Sequence, residues 1–236
     1  PSNTGMFDPT RLPPGVFALG APQSNYRSER SDSELSPKLG VDFKLTDNVM
    51  LYAQYSAGFK SAGFDMRGNA TVFLGTVNGY KPESVDNYEV GLRSTVFDGR
   101  LRFNATVFYA DYTDVQVTTQ QFVTVMGVPT NATAVLNAGK QVNQGAEIET
   151  VWQPVDAFTL STSIGYLDAE FKEFFASNPA SPGTIVNFAS VTPVINAPDW
   201  TFATDAQYRF DVGSGKATAR IGYQWRDDTS IAPPPF

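Results

Sequence analysis

The stretch LRFNATVFYADY, residues 101–112, decides the fold class of this chain. Apolar and polar side chains alternate along it, and the apolar set is Leu101, Phe103, Ala105, Val107 and Tyr109. A period of two residues predicts a β-strand with one apolar face and one polar face. Because aromatic residues occur at the end of the apolar face, lipid is the natural solvent for it. We therefore predict a strand that crosses a membrane.

Seven further segments show the same alternation, and the eight together predict four hairpins. The segments begin near residues 35, 49, 83, 101, 145, 158, 200 and 216, and the fourth extends toward Val125. Short turns are predicted near Asp47, Gly99, Asp156 and Ser214, with a two-residue turn at Asp98-Gly99, and long loops at 61–82, 126–139 and 173–197. Short turns on one rim and long loops on the other are typical of outer-membrane barrels.

The pattern predicts an all-β fold, a transmembrane antiparallel β-barrel wall of about eight strands with short periplasmic turns and long extracellular loops. A soluble repeat protein such as a propeller is the alternative. Propeller blades carry four strands each, whereas each period here carries two. The barrel is therefore favoured.

Composition excludes several classes of function. The 236 residues carry a net charge of −7, which disfavours nucleic acid because phosphate binding needs a basic surface. Cysteine and histidine are absent, so thiolate chemistry and the usual base of serine hydrolases are missing. No run approaches the roughly 18 apolar residues of a spanning helix. We expect no enzyme, no metal site and no cofactor.

The chain divides into three parts by composition. Residues 1–33, rich in Pro, Gly, Ser and Asn, are expected to be an extracellular loop. Residues 34–227 are expected to form the hairpins of a single β-barrel domain, and residues 228–236 to begin a further loop. The chain opens at Pro1 without a signal-like segment and closes on a proline run, so we expect a fragment of a longer protein.

Charged side chains lie on the polar face of the predicted strands, which lines the lumen of a barrel. They are Glu89, Arg93, Arg102, Glu147, Glu149, Asp205, Arg209 and Arg220. Glu147 and Glu149, two residues apart on one face, could form an acid–base pair. We favour a charged lumen wall whose groups pair with each other or with an inserted domain, because nothing nearby completes an enzyme site.

Large apolar residues also occur in the predicted loops, where binding function commonly resides. The candidates for ligand contact are Phe64, Phe73, Tyr80, Phe122, Phe174 and Phe175. These rings could grip a ligand or could pack one loop against another. The sequence favours neither alternative.

Five motifs give the chain a family resemblance. In chain order they are YSAGFK (55–60), YKPESVDNYEVG (80–91), DGRLRFNATVFY (98–109), NAGK followed by GAEIE (137–149), and NAPDW (196–200). The second resembles the KPE…YE.G strand of TonB-dependent outer-membrane receptors. The fourth and fifth are similar to the NAG…GxExE strand and the N.P.W strand start of that family.

The resemblance implies a barrel of about 22 strands whose lumen is filled by a plug domain. It also implies the outer membrane of a Gram-negative bacterium, with lipid and lipopolysaccharide around the wall. We expect the plug, and the segment that engages the TonB energy-coupling complex, to come from a missing N-terminus. The lumen-facing charges are then expected to contact the plug of the same full-length chain.

The resemblance further implies uptake of a bulky, scarce small molecule, most often an iron–siderophore complex. Oligosaccharide or cobalamin uptake by the same receptor class is an alternative. Haem is disfavoured because no histidine can act as axial ligand. Outside the family, the alternatives are a passive channel or a small structural barrel, and an outer-membrane enzyme has the least support.

Overall fold

The alternating segments pair side by side in chain order. The structure is a computed structural model that describes residues 28–65, 67–68, 72, 75–125 and 127–231. Its strands are β1 Lys38–Thr46, β2 Val49–Lys60, β3 Glu83–Val96, β4 Leu101–Val125, β5 Val128–Val155, β6 Phe158–Ser177, β7 Ile185–Asn187, β8 Trp200–Val212 and β9 Gly215–Arg226. They form one antiparallel sheet in the order β1-β2-β3-β4-β5-β6-β8-β9, and β7 pairs with the end of β6. The predicted all-β antiparallel fold is confirmed.

The four short turns lie at one end of the sheet, which we call the turn side, and the other end is the loop side. The turns occupy residues 47–48, 97–100, 156–157 and 213–214, as the sequence predicted. The turn at 97–100 has four residues, so the predicted two-residue turn is wrong. The Arg100 N–H donates to the Phe97 carbonyl at 3.0 Å, and Phe97, Asp98 and Gly99 all have positive φ.

The predicted loop at 126–139 is wrong, because β5 begins at Val128 and pairs with β4 from the Val125–Val128 pair onward. Asn, Thr and Gly in this segment suggested a loop. The continuing β4 strand offers them a ladder partner instead, and β-branched threonine fits a pleated surface. The two strands together form a hairpin that extends beyond β2, β3, β8 and β9 on the loop side, with the end of β6 bonded to it at Phe122.

A bulge marks the root of this extended hairpin. The register shifts on either side of Val115, and the Asp114 backbone takes a φ of 56°. On β5, Gly139 lies opposite Val115, and a Cβ built there would stand 2.1 Å from the carbonyl oxygen of Glu173 on β6. Only glycine therefore fits at this position without moving the neighbouring strand.

The loop side also holds shorter elements inside the other predicted loops. β6 continues to Ser177 and β7 follows, both within the predicted loop 173–197. One helical turn, Gly75–Asn78, and one 3-10 turn, Ala189–Val191, complete the regular structure of the described residues. In the part of the chain that the structure describes, helices are too short and polar to cross a membrane.

The apolar face of the sheet remains largely exposed. Val107 is 56% exposed and Val90 55%, in strands that are paired on both sides, and Ile221 on β9 is 73% exposed. Exposed apolar surface of this extent marks contact with lipid or a partner. Toward the loop side, Tyr55, Tyr88 and Tyr109 stand opposite one another on three strands, and the rings of Tyr55 and Tyr88 are 5.2 Å apart. Aromatic rows of this kind are typical of a membrane interface.

The sheet does not close on itself. Among the described residues, β1 and β9 each pair on one side only, so each leaves a free strand edge. Free edges are not tolerated in lipid, where every backbone group must be paired. The eight long strands therefore form part of a barrel wall, and the alternative of a small closed barrel does not describe this sheet.

Candidate functional site

The polar face of the sheet is the candidate functional surface, and the strand register arranges its side chains in rows. One row contains Tyr52, Gly91, Thr106 and Glu147, which are direct partners on β2 to β5. The next row toward the turns contains Met50, Arg93, Asn104 and Glu149. The predicted lumen charges thus lie on one face of the sheet.

Tyr52 is the centre of a hydrogen-bonded cluster on this face. Its hydroxyl donates to Glu89 Oε1 at 2.5 Å and lies 2.9 Å from Thr106 Oγ1, while Gln54 Nε2 donates to the other oxygen of Glu89 at 3.0 Å. The ring crosses β3 at Gly91, where an added Cβ would stand 2.3 Å from it. Glycine at position 91 is therefore what lets the tyrosine reach from β2 to β4.

Arg93 packs on the same tyrosine and does not pair with Glu89. Its guanidinium carbon lies 4.9 Å from the Tyr52 ring centroid, a cation–π contact. Among the described residues, Arg93, Arg102, Glu147 and Glu149 form no ion pair, and all four line a hollow of about 570 Å³ near the turns. Two cations and two carboxylates thus face open space, in an arrangement suited to a charged partner.

A second charged group lies on β8 and β9. Arg220 Nε donates to Asp205 Oδ2 at 2.7 Å, whereas Arg209 donates to the carbonyl of Asp156 in the turn between β5 and β6. Asp205 therefore pairs across the strands with Arg220, and Arg209 stabilises the turn end of the sheet.

Between β2 and β6, two successive rows in the loop-side half of the polar face carry no charge, and Lys38 on β1 stands opposite Ser56 at the end of the first row. The rows, read from β2 to β6, are Ser56, Asn87, Ala110, Asn143 and Ala169, followed by Gly58, Val85, Tyr112, Gln141 and Phe171. Gln141 Nε2 donates to Asn143 Oδ1 at 2.8 Å. The charged residues Glu89 and Glu83 bound these rows below and above on β3.

Two amide side chains fasten the loop between β2 and β3 to the root of the extended hairpin. Gln116 Nε2 donates to the carbonyls of Lys60, Ser61 and Lys81, at 3.3, 2.9 and 3.0 Å. Asn137 accepts from the Lys81 N–H at 2.7 Å and donates back to the Lys81 carbonyl at 2.9 Å. We call Gln116 and Asn137 the amide clasp.

Within that loop, Asp65 is almost buried and paired with Arg67. Arg67 Nε and backbone N–H donate to Asp65 Oδ1 at 3.1 and 3.0 Å, and Arg67 Nη2 also reaches Thr118 Oγ1 on the hairpin. Burial alone would raise the pKa of Asp65, but hydrogen bonds and charge from Arg67 and the Val135 backbone hold it below its usual value. The ionised carboxylate therefore helps to hold the loop against β4 and β5.

An apolar cluster covers the loop side of β5 and β6. Phe174, 3% exposed, packs with Ala138 and Ala176, and its ring is 4.9 Å from that of Phe171. Phe188 of the loop before β8 lies against the cluster.

The structure separates the predicted ligand-contact aromatics by environment. Phe174 lies in the apolar cluster, Phe175 is 44% exposed, and Phe122 is half-buried at the hairpin end, where its backbone pairs with Ser177. The other two lie in the loop between β2 and β3, where the ring of Tyr80 packs on Gly63 and that of Phe64 on Gly79. Phe73 lies outside the described residues. These positions bring no common aromatic pocket together, and ligand contact by these residues stays a prediction.

The sequence did not identify Tyr52 on the turn side of the polar face, nor the amide clasp on its loop side, as structurally important residues. Tyr52 lies 37 residues before its partner Glu89, and Gln116 lies 55 residues after Ser61. The polar-face position of Tyr52, an aromatic among polar residues, was the available signal for the first. For the amide clasp no local signal exists, since glutamine and asparagine are common in loops.

The sequence of this chain is similar to that of a family of known proteins. A family model described as "TonB dependent receptor-like, beta-barrel" matches residues 7–234. The metal-pseudopaline receptor of Pseudomonas aeruginosa is 28% identical over 162 residues, covering 68% of this chain and 20% of that receptor. The ferrioxamine receptor of Yersinia enterocolitica is 25% identical over 209 residues, covering 88% of this chain and 25% of that receptor.

Among solved structures, the ferric yersiniabactin uptake receptor of Yersinia pestis superimposes with a TM-score of 0.56 at 20% identity. The match covers 79% of this chain and 25% of that one, and it shows the fold alone. The chain thus spans about a fifth to a quarter of the length of the proteins it matches.

Proposed function

The chain belongs to the TonB-dependent receptor family, as part of its β-barrel. We propose that the complete protein takes up a bulky, scarce nutrient, and that this nutrient is an iron–siderophore complex. Barrels of this family lie in the outer membrane of Gram-negative bacteria and act as transporters, in agreement with the predicted location. The two receptors above are named for metal-pseudopaline and for ferrioxamine, and these names support the ligand class.

The observation that carries the proposal is the opposite chemistry of the two sheet faces. One face is apolar and exposed, with tyrosines in register, and the other is polar with charges at the turn side. A sheet of this kind has lipid on one side and a water-filled or protein-filled lumen on the other. That arrangement supports a barrel through which a polar ligand passes.

The charged hollow supports a plug domain as the partner of the turn-side half. Arg93 and Arg102 are exposed there without a carboxylate partner among the described residues, beside Glu147 and Glu149. Unpaired charges on one wall select a partner with complementary charges. Reversing Arg93 and Arg102 to glutamate in the full-length protein should loosen the plug and admit large antibiotics. Unchanged antibiotic permeability, with the barrel present at normal abundance, contradicts plug contact by these two residues.

Uptake is tested by deleting the gene in its host and supplying iron as single ferric chelates. The expected result is lost growth on one chelate under iron limitation, restored by the gene in a strain with TonB and not in a strain without it. Growth that depends on the gene only when cobalamin or an oligosaccharide is limiting would replace the iron–siderophore assignment with one of those ligands. Loss of passive solute permeability without TonB dependence would indicate a channel.

A further inference from the structure

We propose that three loop-side segments form one cooperative unit that is hinged on the barrel wall, so that loosening one segment also loosens the other two. The segments are the β2–β3 loop at residues 61–82, the extended hairpin at residues 115–139, and the strap, which we define as residues 174–191 from the end of β6 through the 3-10 turn. This inference concerns the conformation of the chain and does not depend on which ligand the receptor takes up.

The hinge is a line of irregularities that crosses three neighbouring strands at one level. Thr113, Lys140 and Glu173 stand opposite one another in a single row of β4, β5 and β6. Within two residues of this row, each strand carries one residue that lacks a ladder partner among the described residues. These residues are Asp114, Ala138 and Lys172. Because bulges interrupt the ladder and bend the strand that carries them, the segments beyond this line can bend together relative to the wall.

The strap is fastened to the far half of the hairpin at Phe122 on β4. Ser177 Oγ accepts from the Phe122 N–H at 3.0 Å and donates to the Phe122 carbonyl at 3.1 Å. The Gly183 N–H donates to the same carbonyl at 3.0 Å. Ser177 is buried, so the loss of its hydroxyl would leave a backbone N–H without its partner, at a cost. At the root of the hairpin, Phe174 of the strap packs on Ala138.

The β2–β3 loop is fastened to the root of the same hairpin by the amide clasp. Gln116 donates to three backbone carbonyls at the two ends of the loop, and Asn137 bonds both backbone groups of Lys81. Asn137 Nδ2 also donates to the Asp114 carbonyl at 2.7 Å, on the line of irregularities. One side chain therefore joins the loop, the hairpin and the hinge.

The hairpin depends on both neighbours because it has little stability of its own. A two-stranded hairpin is only marginally stable in water. Beyond the pair of Ser84 with Thr113, β4 has no strand partner other than β5 among the described residues. The buried side chains of the hairpin include Ala132 and Ala134, which are small and bury little apolar surface. Contacts with the strap and the loop therefore hold the hairpin in place, and segments that share such contacts open together.

Hydrogen–deuterium exchange of the complete receptor in detergent tests the coupling in both directions. Gln116→Ala removes the three bonds to the loop, and Ser177→Ala removes the hydroxyl that fastens the strap. We expect each variant to speed amide exchange by about threefold to tenfold, both at 75–81 in the loop and at 185–191 in the strap, because a coupling between two segments is reciprocal. Exchange at 86–95 in β3, on the wall side of the hinge, should not change.

Two matched variants serve as controls. Gln144→Ala removes an exposed amide that bonds Asp168 on the wall, and Ser181→Ala removes an exposed hydroxyl of the strap. Both should leave exchange in the loop and in the strap unchanged. Faster exchange confined to the altered segment would overturn the inference, as would equal acceleration in β3 or equal effects of the controls. The measurement needs no bound ligand, so its result is independent of the growth tests that judge uptake.

Discussion

The turn-side and loop-side halves of the polar face are built by different means. In the turn-side half, charges and one tyrosine cluster stand in rows that follow directly from strand register, with Tyr52 joined to Glu89 at 2.5 Å. In the loop-side half, two rows carry no charge between β2 and β6, and single residues hold the structure, among them Gly139 and Gln116. The turn-side half is therefore determined by the alternation of lipid-facing and lumen-facing residues, whereas the loop-side half depends on individual contacts between residues far apart in the sequence.

The largest effect is expected from adding a methyl group at the root of the extended hairpin. Gly139→Ala would place Cβ 2.1 Å from the Glu173 carbonyl oxygen, so β5 and β6 must separate locally. We expect a loss of about 3 kcal/mol in unfolding free energy. Urea unfolding of the detergent-solubilised full-length receptor measures it. The matched control is Gly40→Ala, whose nearest neighbour would be 3.7 Å away, and an equal loss there would contradict the argument.

The next effect concerns the amide clasp. Gln116→Ala removes three hydrogen bonds to the backbone of the β2–β3 loop, a loss of about 2 kcal/mol in local docking. Trypsin should then cleave faster after Arg67, which is followed by the loop glycine Gly68. Gln120→Ala, which removes only a bond to Thr133 within the hairpin, should leave the cleavage rate unchanged. If both variants are cleaved equally fast, the clasp does not hold the loop.

On the turn side, the corresponding change is smaller because other contacts remain. Tyr52→Phe keeps the ring on Gly91 and removes the hydroxyl that joins Glu89 to Thr106. We expect about 1 kcal/mol of lost stability, with trypsin cleavage of the β2–β3 loop unchanged. Unfolding free energy and loop cleavage are measured on the same preparation. A change in loop cleavage would mean that the two halves are coupled.

The ion pair of the last hairpin should contribute less still. The Arg220 side chain is 69% exposed and that of Asp205 28%, so solvent screens their attraction. A double-mutant cycle of Arg220→Ala and Asp205→Ala should give an interaction energy below about 1 kcal/mol. A value several times larger would show that this wall excludes water more than its exposure indicates.

The smallest effect near neutral pH concerns Asp65. Its pKa lies below the usual 3.8, so the stabilisation it gives is fully present above that pH and is lost as the pH falls through the lowered pKa. A nitroxide on Asn78→Cys should therefore keep constant mobility from pH 7 to about 5 and gain mobility only in stronger acid. Asp65→Asn should show the acid mobility at every pH. Mobility that rises between pH 7 and 5 would contradict this assignment.

The sequence predicted the turn-side half well because two solvents act on alternate residues there. Along Leu101 to Tyr109, apolar and polar side chains alternate between lipid and lumen. The tight turns at Asp47 and Asp156 lie where the same alternation ends in β1 and β5. The eight long strands, their order and the face that carries each charge were accessible for that reason. The ion-pair partners of these charges could not be predicted from the sequence. Asp205 pairs with Arg220 and not with Arg209, because pairing depends on the register between β8 and β9.

The loop-side half was predicted poorly because the buried face of its strands carries small residues, among them Ala132, Ala134 and Ala138, that give no strong apolar signal. Without a lipid face, the segment 126–139 shows no strict alternation, although it lies in β5. Phe174 was selected as a ligand contact from its ring alone, and its burial depends on Ala138 and Ala176, which only the fold brings near. The amide clasp depends in the same way on contacts 55 residues apart.

The extended hairpin has a consequence for how a cell carrying this receptor meets its surroundings. From Tyr109, at the interfacial aromatic row, β4 continues for 16 residues to Val125, about 50 Å along the strand. The polar layer of a bilayer leaflet is only about 5–8 Å thick. Between Asp114 and Lys140 the sequence contains no charged residue. An antibody or a phage would therefore encounter this uncharged, threonine-rich projection, together with Ser177 and Gly183 that bond to it at Phe122, before it reached the turn-side half of the described wall.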